Sequence, residues 1–115
     1  MGDTTLKPDL TTFQDLSSDE LSYYTTYARK FKLEGIYMKF SVPVTETITI
    51  TLDAAAGVAY DTILRSRTLS AESNFVYAPE GGRNFQAGDR IRIQCTNANG
   101  VGIVYVTVKA HEVLS

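Results

Sequence analysis

The stretch FQAGDRIRIQCTNANGVGIVYVTVKA (residues 85–110) decides how this chain is read. Gly88-Asp89 opens a segment in which Ile91, Ile93 and Cys95 alternate with Arg90, Arg92 and Gln94. A period of two puts the first set on a buried face and the second toward water. Asn99-Gly100, with Asn97 close by, supplies residues that tolerate the positive φ of a tight turn. The return segment places Val104, Val106 and Val108 on the core side and Tyr105, Thr107 and Lys109 outside. The expectation is an antiparallel hairpin with one apolar and one wet face. Cys95 then reads as a small core hydrophobe, since burial keeps a thiol protonated and inert.

The same period extends toward the N-terminus. Ile36, Met38, Phe40 and Val42 alternate with Tyr37, Lys39 and Ser41, and Ile48, Ile50 and Leu52 alternate with a row of Thr47, Thr49 and Thr51. The row reads as a solvated sheet face. Residues 53–57 (DAAAG) interrupt, and AYDTILR (59–65) and NFVYAP (74–79) follow as short strands, the second stopped by Pro79 and the Gly81-Gly82 turn. Residues 80–88 (EGGRNFQAG) lack the Gly-Lys-Ser/Thr ending of a phosphate cradle and read as a loop. Six to eight such strands with no helical period between them predict an all-β, antiparallel β-sandwich, jelly-roll or Greek-key-like, over residues 31–115. A body of ~85 residues supports a modest core, which oligomer contacts would reinforce while covering sheet edges.

Residues 1–30 differ. The first 20 are polar and aperiodic and include Pro8, which predicts an extended arm. Ser17 and Glu20 stand at capping-box spacing. A short helix from there puts Leu21, Tyr24, Ala28 and Phe31 on one face, although YYTTYA also favours strand. The helix is the preferred reading, so the arm is expected to be partly helical. The chain has seven tyrosines and no tryptophan, and Tyr23, Tyr24, Tyr27 and Tyr37 lie in or just after this arm. Tyrosine is favoured in interfaces. Two readings stand: the arm folds back onto its own sandwich, or Tyr23, Tyr24, Tyr27 and Phe31 contact another chain.

The composition removes several function classes. The net charge is −2, with five acidic and three basic residues in 1–30 and eight of each in 31–115. Nucleic-acid binding needs a basic surplus, so no nucleic-acid partner is expected. No apolar run nears the ~18 residues of a membrane span, and the N-terminus has no secretory pattern. Leu6 occupies the position where a myristoylation motif needs Ser or Thr. One cysteine and one histidine cannot form an intrachain disulfide or supply a Cys/His zinc site. His111, near the chain end, is a poor general base. Asp53, Asp61, Glu80, Asp89, Asn97 and Asn99 lie at predicted turns, where their own backbone hydrogen bonds explain them better than calcium does. No enzyme, metal or cofactor is expected.

Three segments carry a family resemblance: Tyr-Ala-Pro-Glu at 77–80, Phe-Gln-Ala-Gly-Asp-Arg-Ile-Arg-Ile at 85–93, and Cys-Thr-Asn-Ala-Asn-Gly at 95–100. They resemble the C-terminal half of small tailed-phage virion proteins with β-sandwich bodies, over roughly residues 33–115. The resemblance implies a capsid decoration (cement) or head-fibre protein, found in the virion and assembled in the bacterial host cytoplasm. It further implies the major capsid protein or another virion protein as partner, and a homo-oligomer. Neck and tail components share the scaffold. The family brings no catalytic residues. The alternative is a carbohydrate- or receptor-binding module, for which Tyr60, Tyr77 and Tyr105 are the candidate rings.

Overall fold

The computed structural model describes residues 4–6, 10–27 and 29–113. In chain order its strands are β1 (Thr4–Leu6), β2 (Leu10–Asp15), β3 (Leu21–Thr26), β4 (Phe31–Val44), β5 (Thr47–Asp53), β6 (Thr62–Thr68), β7 (Glu72–Tyr77), β8 (Arg83–Phe85), β9 (Arg90–Cys95) and β10 (Ile103–Val113). A single 3-10 turn, Val58–Tyr60, precedes β6. The fold is all-β, and every pairing is antiparallel.

The first sheet is built on the two longest strands, β4 and β10, which pair with each other. The free side of β10 takes β2 and β1, and the free side of β4 takes β7 and β8. The second sheet runs β3-β9-β5-β6. Strict alternation lets each sheet turn one apolar face inward. Ile48, Ile50, Ile91 and Ile93 of the second sheet join Ile36, Met38, Val104, Val106 and Val108 of the first in one buried core. An aromatic stack extends that core: Tyr27 lies 4.1 Å from Phe31, and Phe31 lies 5.1 Å from Phe85, between ring centroids.

Several sequence expectations change. β9 and β10 carry the predicted inward residues, but they do not pair with each other: β9 lies in the second sheet and β10 in the first. The predicted hairpin is a crossing between sheets. Residues 96–102 are too many for a two-residue hairpin turn, and Gly100 and Gly102 take φ of 60° and 82° in the bend. The predicted helix is also absent. Ser17 donates from its backbone N–H (2.9 Å) and its hydroxyl (2.6 Å) to Asp15 Oδ1, which makes a tight turn in place of a capping box. Residues 21–26 then run as β3 beside β9, with Leu21 and Thr25 buried and Ser22, Tyr24 and Thr26 outward. Tertiary pairing and the β-propensity of Tyr-Tyr-Thr-Thr outweigh the local helix signal.

The arm is therefore not a separate unit where it is described, because β2 and β3 are strands of the two sheets. The rest of the expected extended stretch, residues 1–3 and 7–9, and Ala28 of the expected helix lie outside the described residues. Within the expected loop 80–88, Arg83–Phe85 pairs with Phe31–Leu33 as β8. Val42 is exposed, since the β4–β7 register breaks between Lys39 and Val44. Pro43, which has no N–H to donate, sits in that break.

Leu16, Leu21 and Tyr27 are fully or almost fully buried. Each contributes about 1.5–3 kcal/mol by burial, a sum comparable with the ~5–15 kcal/mol net stability of a small domain. Deleting residues 1–30 is therefore expected to unfold the protein. Circular dichroism and a thermal melt of the truncated chain check this; a cooperative melt near that of the full chain would show the sandwich standing without β2 and β3.

Candidate functional site

The strand register of the first sheet sets out its solvent face. Phe13, Tyr105, Lys39 and Asn74 lie side by side across β2, β10, β4 and β7. The next row is Thr11, Thr107, Tyr37 and Val76. Phe13 is 65% exposed, Val76 52%, Tyr105 50% and Tyr37 38%, so four large apolar side chains share one face. Scattered apolar residues on a surface are ordinary, whereas a contiguous set marks a contact surface.

The rings on this face are positioned. Phe13 and Tyr105 sit 6.3 Å apart at a 34° tilt. The Tyr37 ring lies over Gly35, where an added Cβ would come within 2.9 Å of Cε2 and Oη. A bulge beside Gly35, opposite Lys109 and Ala110, leaves Glu34 unpaired in the ladder, and its Oε2 lies 2.5 Å from His111 Nδ1. Lys109 Nζ stands 5.7 Å from the Tyr37 ring centre, a cation–π contact of about 0.5–1 kcal/mol. Shallow grooves run between Phe13, Tyr105 and the threonines Thr11 and Thr107, and between Tyr37 and Lys109.

The outer face of the second sheet is different. Tyr24 is 38% exposed and has Arg90 4.2 Å and Arg92 5.5 Å from its ring centre. Arg90 is also bound to Asp53, its Nε donating at 2.8 Å, and Arg92 reaches the Ser22 hydroxyl at 3.3 Å. The arginine stripe is thus committed to its own sheet. Of the four residues expected to touch a partner, only Tyr24 is exposed, with the two arginines over its ring. Tyr23 leans against the core, and Tyr27 and Phe31 lie inside the aromatic stack. The three glycan candidates are likewise separated: Tyr105 on the first face, Tyr60 exposed on the 3-10 turn, and Tyr77 against the core.

The acidic turn residues make structure. Asp89 accepts from the N–H groups of Ala55 and Gln86, both at 2.9 Å, and Asp61 accepts from Ala54 N at 2.8 Å. Glu46, which carries no motif that singles it out, is 2% exposed. Its Oε1 accepts from the Thr96 hydroxyl (2.7 Å) and Ala98 N (2.9 Å), and its Oε2 from Asn99 N (2.8 Å). Among the described residues no three His, Cys, Asp or Glu side chains come together as a metal site would require. Cys95 is buried, and desolvation, helped by the Glu46 charge, pushes its thiol up to about 12.

No protein-family model matches the chain, and no curated protein does. Among solved structures it is similar to the NLP-core of Drosophila, described as giving insight into pentamer formation and histone binding. The two are 11% identical over 90% of this chain and 98% of that one, with a TM-score of 0.47. A likeness at this level carries no functional argument.

Two substitutions test this chemistry. Glu46→Ala strands three donors and is expected to cost about 2–4 kcal/mol in denaturant unfolding, with Glu46→Gln recovering part of it. The Cys95 thiol is expected to resist aromatic disulfide reagents at neutral pH until denaturant is added. Because its folded pKa lies above the free value of 9.0, its share of stability is intact below pH 9 and is lost as pH rises toward about 12.

Proposed function

We propose that this chain is a non-catalytic structural protein that docks onto other protein chains through the outer face of its first sheet. Its setting is the one the sequence resemblance implies, capsid decoration on the head of a tailed phage. The observation that carries the docking reading is the shared exposure of Phe13, Tyr37, Val76 and Tyr105. Interface cores are enriched in such aromatics, and a few of them dominate the binding energy.

The strand order supports the setting by analogy of fold. β2-β10-β4-β7 against β3-β9-β5-β6, with every connection among these eight strands except β5–β6 crossing between sheets, is the order of an eight-strand jelly roll. That architecture recurs in viral capsid and lectin domains, and an analogy of fold is not by itself an assignment of function. The lectin side of the analogy gives the second reading, a glycan-binding face. Its specific observation is that the rings of Phe13 and Tyr105 lie beside Lys39 and Asn74, polar groups suited to sugar hydroxyls.

Quantitative mass spectrometry of purified phage particles tests the setting: hundreds of copies are expected for decoration, and about a dozen would move the chain to neck or tail. For the docking face, Phe13→Ala and Tyr105→Ala are each expected to weaken binding to undecorated capsids by roughly 30-fold, with melting temperature unchanged. Undiminished capsid binding with lost glycan binding would favour the second reading.

A further inference from the structure

The middle of the face just described carries two cations, with carboxylates at its margins: Asp15, two residues from Phe13 on β2, and Glu34, whose side chain is 54% exposed. Lys39 and Lys109 stand exposed among its rings. The carboxylate nearest the Lys109 end, Glu34, is bound to His111. The molecule also carries the opposite surface. Segments 15–20, 41–46 and 96–102 meet at one end of the sandwich. Leu16 N donates to Gly102 O at 2.9 Å, the Asn97 side chain donates to Leu16 O at 3.3 Å, and a Cβ on Gly102 would come within 2.7 Å of Val42. These three segments contain Asp15, Asp19, Glu20 and the buried Glu46 and no lysine or arginine, and the β6–β7 crossing at the same end adds Arg67 and Glu72, paired with each other at 2.8 Å. Asp19 and Glu20 are exposed, and so are Val42 (40%) and Val101 (45%) on the two other segments. Hydrogen bonds from Ser17 hold the Asp15 carboxyl below its usual range, so it too is charged at neutral pH.

Resting on the docking reading above, we infer that the partner of the first-sheet face is a second copy of this chain, whose acidic end (Asp19, Glu20, Val42, Val101) docks on the lysine–aromatic face (Lys39, Lys109, Phe13, Tyr105). Both surfaces combine apolar side chains with opposite charge, which fits each to the other and repels like onto like. The contact is head-to-face: every copy offers one end and one face, and assembly proceeds to a reciprocal dimer, a closed ring or an open filament. The aromatic and valine contacts supply affinity, and the charges supply register and a dependence on ionic strength.

The test is the solution mass of the full chain by light scattering and sedimentation, with four sequences compared. Wild type is expected to self-associate at low salt and to weaken as salt approaches ~1 M, where the Debye length falls to about 3 Å. K39E/K109E and D19K/E20K are each expected to be monomeric while keeping a cooperative thermal melt, since all four side chains are exposed. The fourfold swap in one chain is expected to assemble again. If that chain folds poorly, an equimolar mixture of the two double variants serves, since each then offers a complementary surface to the other. A wild-type monomer up to ~0.1 mM, double variants that assemble as wild type does, or swaps that restore nothing would each overturn the inference. A monomer that still binds particles through Phe13 and Tyr105 would remove the inference and leave the docking reading standing; loss of both would remove both.

Discussion

The buried carboxylate of Glu46 ties together one end of this sandwich. Taking Glu46 out of water costs several kcal/mol, and only a full set of donors offsets it. The donors are the Thr96 hydroxyl and the N–H groups of Ala98 and Asn99, all in the β9–β10 crossing, while Glu46 itself lies in the β4–β5 crossing. Its backbone carbonyl accepts from Leu69 N in the β6–β7 crossing at 2.8 Å. Asn97 then reaches Leu16 O in the β2–β3 crossing. Four passages of the chain from one sheet to the other are thereby tied at one end, so the sheets hold a fixed separation and register over the isoleucine–valine core.

That fixed frame is what makes two unlike outer faces possible. In the second sheet the outward side chains are threonines, serines, glutamine, the exposed Ile63 and the Tyr24–Arg90–Arg92 group, which spends its charge on Asp53 and Ser22. In the first sheet the outward rings have only one another, Lys39, Lys109 and water. The difference lies in the partners rather than in the residue types. Both faces hold tyrosine and cations, but only one satisfies them internally.

Much of the fold was legible, and the reasons are local. Alternation in 36–40, 48–52, 91–95 and 104–108 correctly separated buried from wet positions, because period two is a property of one strand at a time. Which strand lies beside which is not. The Asn99-Gly100 signal is the chemistry of a tight turn, and nothing in residues 96–102 states that their N–H groups bond a glutamate some 50 positions earlier. The capping-box spacing of Ser17 and Glu20 was real, yet Asp15 captured Ser17 first. The arm's tyrosines form one group in sequence because they adjoin, whereas the strand sends Tyr23 and Tyr24 to opposite faces. The first-sheet face was hidden for the converse reason. Phe13, Tyr37, Val76 and Tyr105 come from four strands, and only the register brings them together.

The pairing of β2 with β10 sets Leu10–Asp15 against residues nearly a hundred positions later. As the chain emerges from the ribosome, β2 must therefore wait with its edge open until almost all of the sandwich has been synthesised. Phe13 and the inward side of β2 are then exposed together, before any sheet exists to hold them apart. Closure of such distant pairs is slow, and unpaired edges are where nascent chains stick to one another. The same strand that completes the finished face is, for the length of one translation cycle, the part of the molecule most open to pairing with a neighbour's chain.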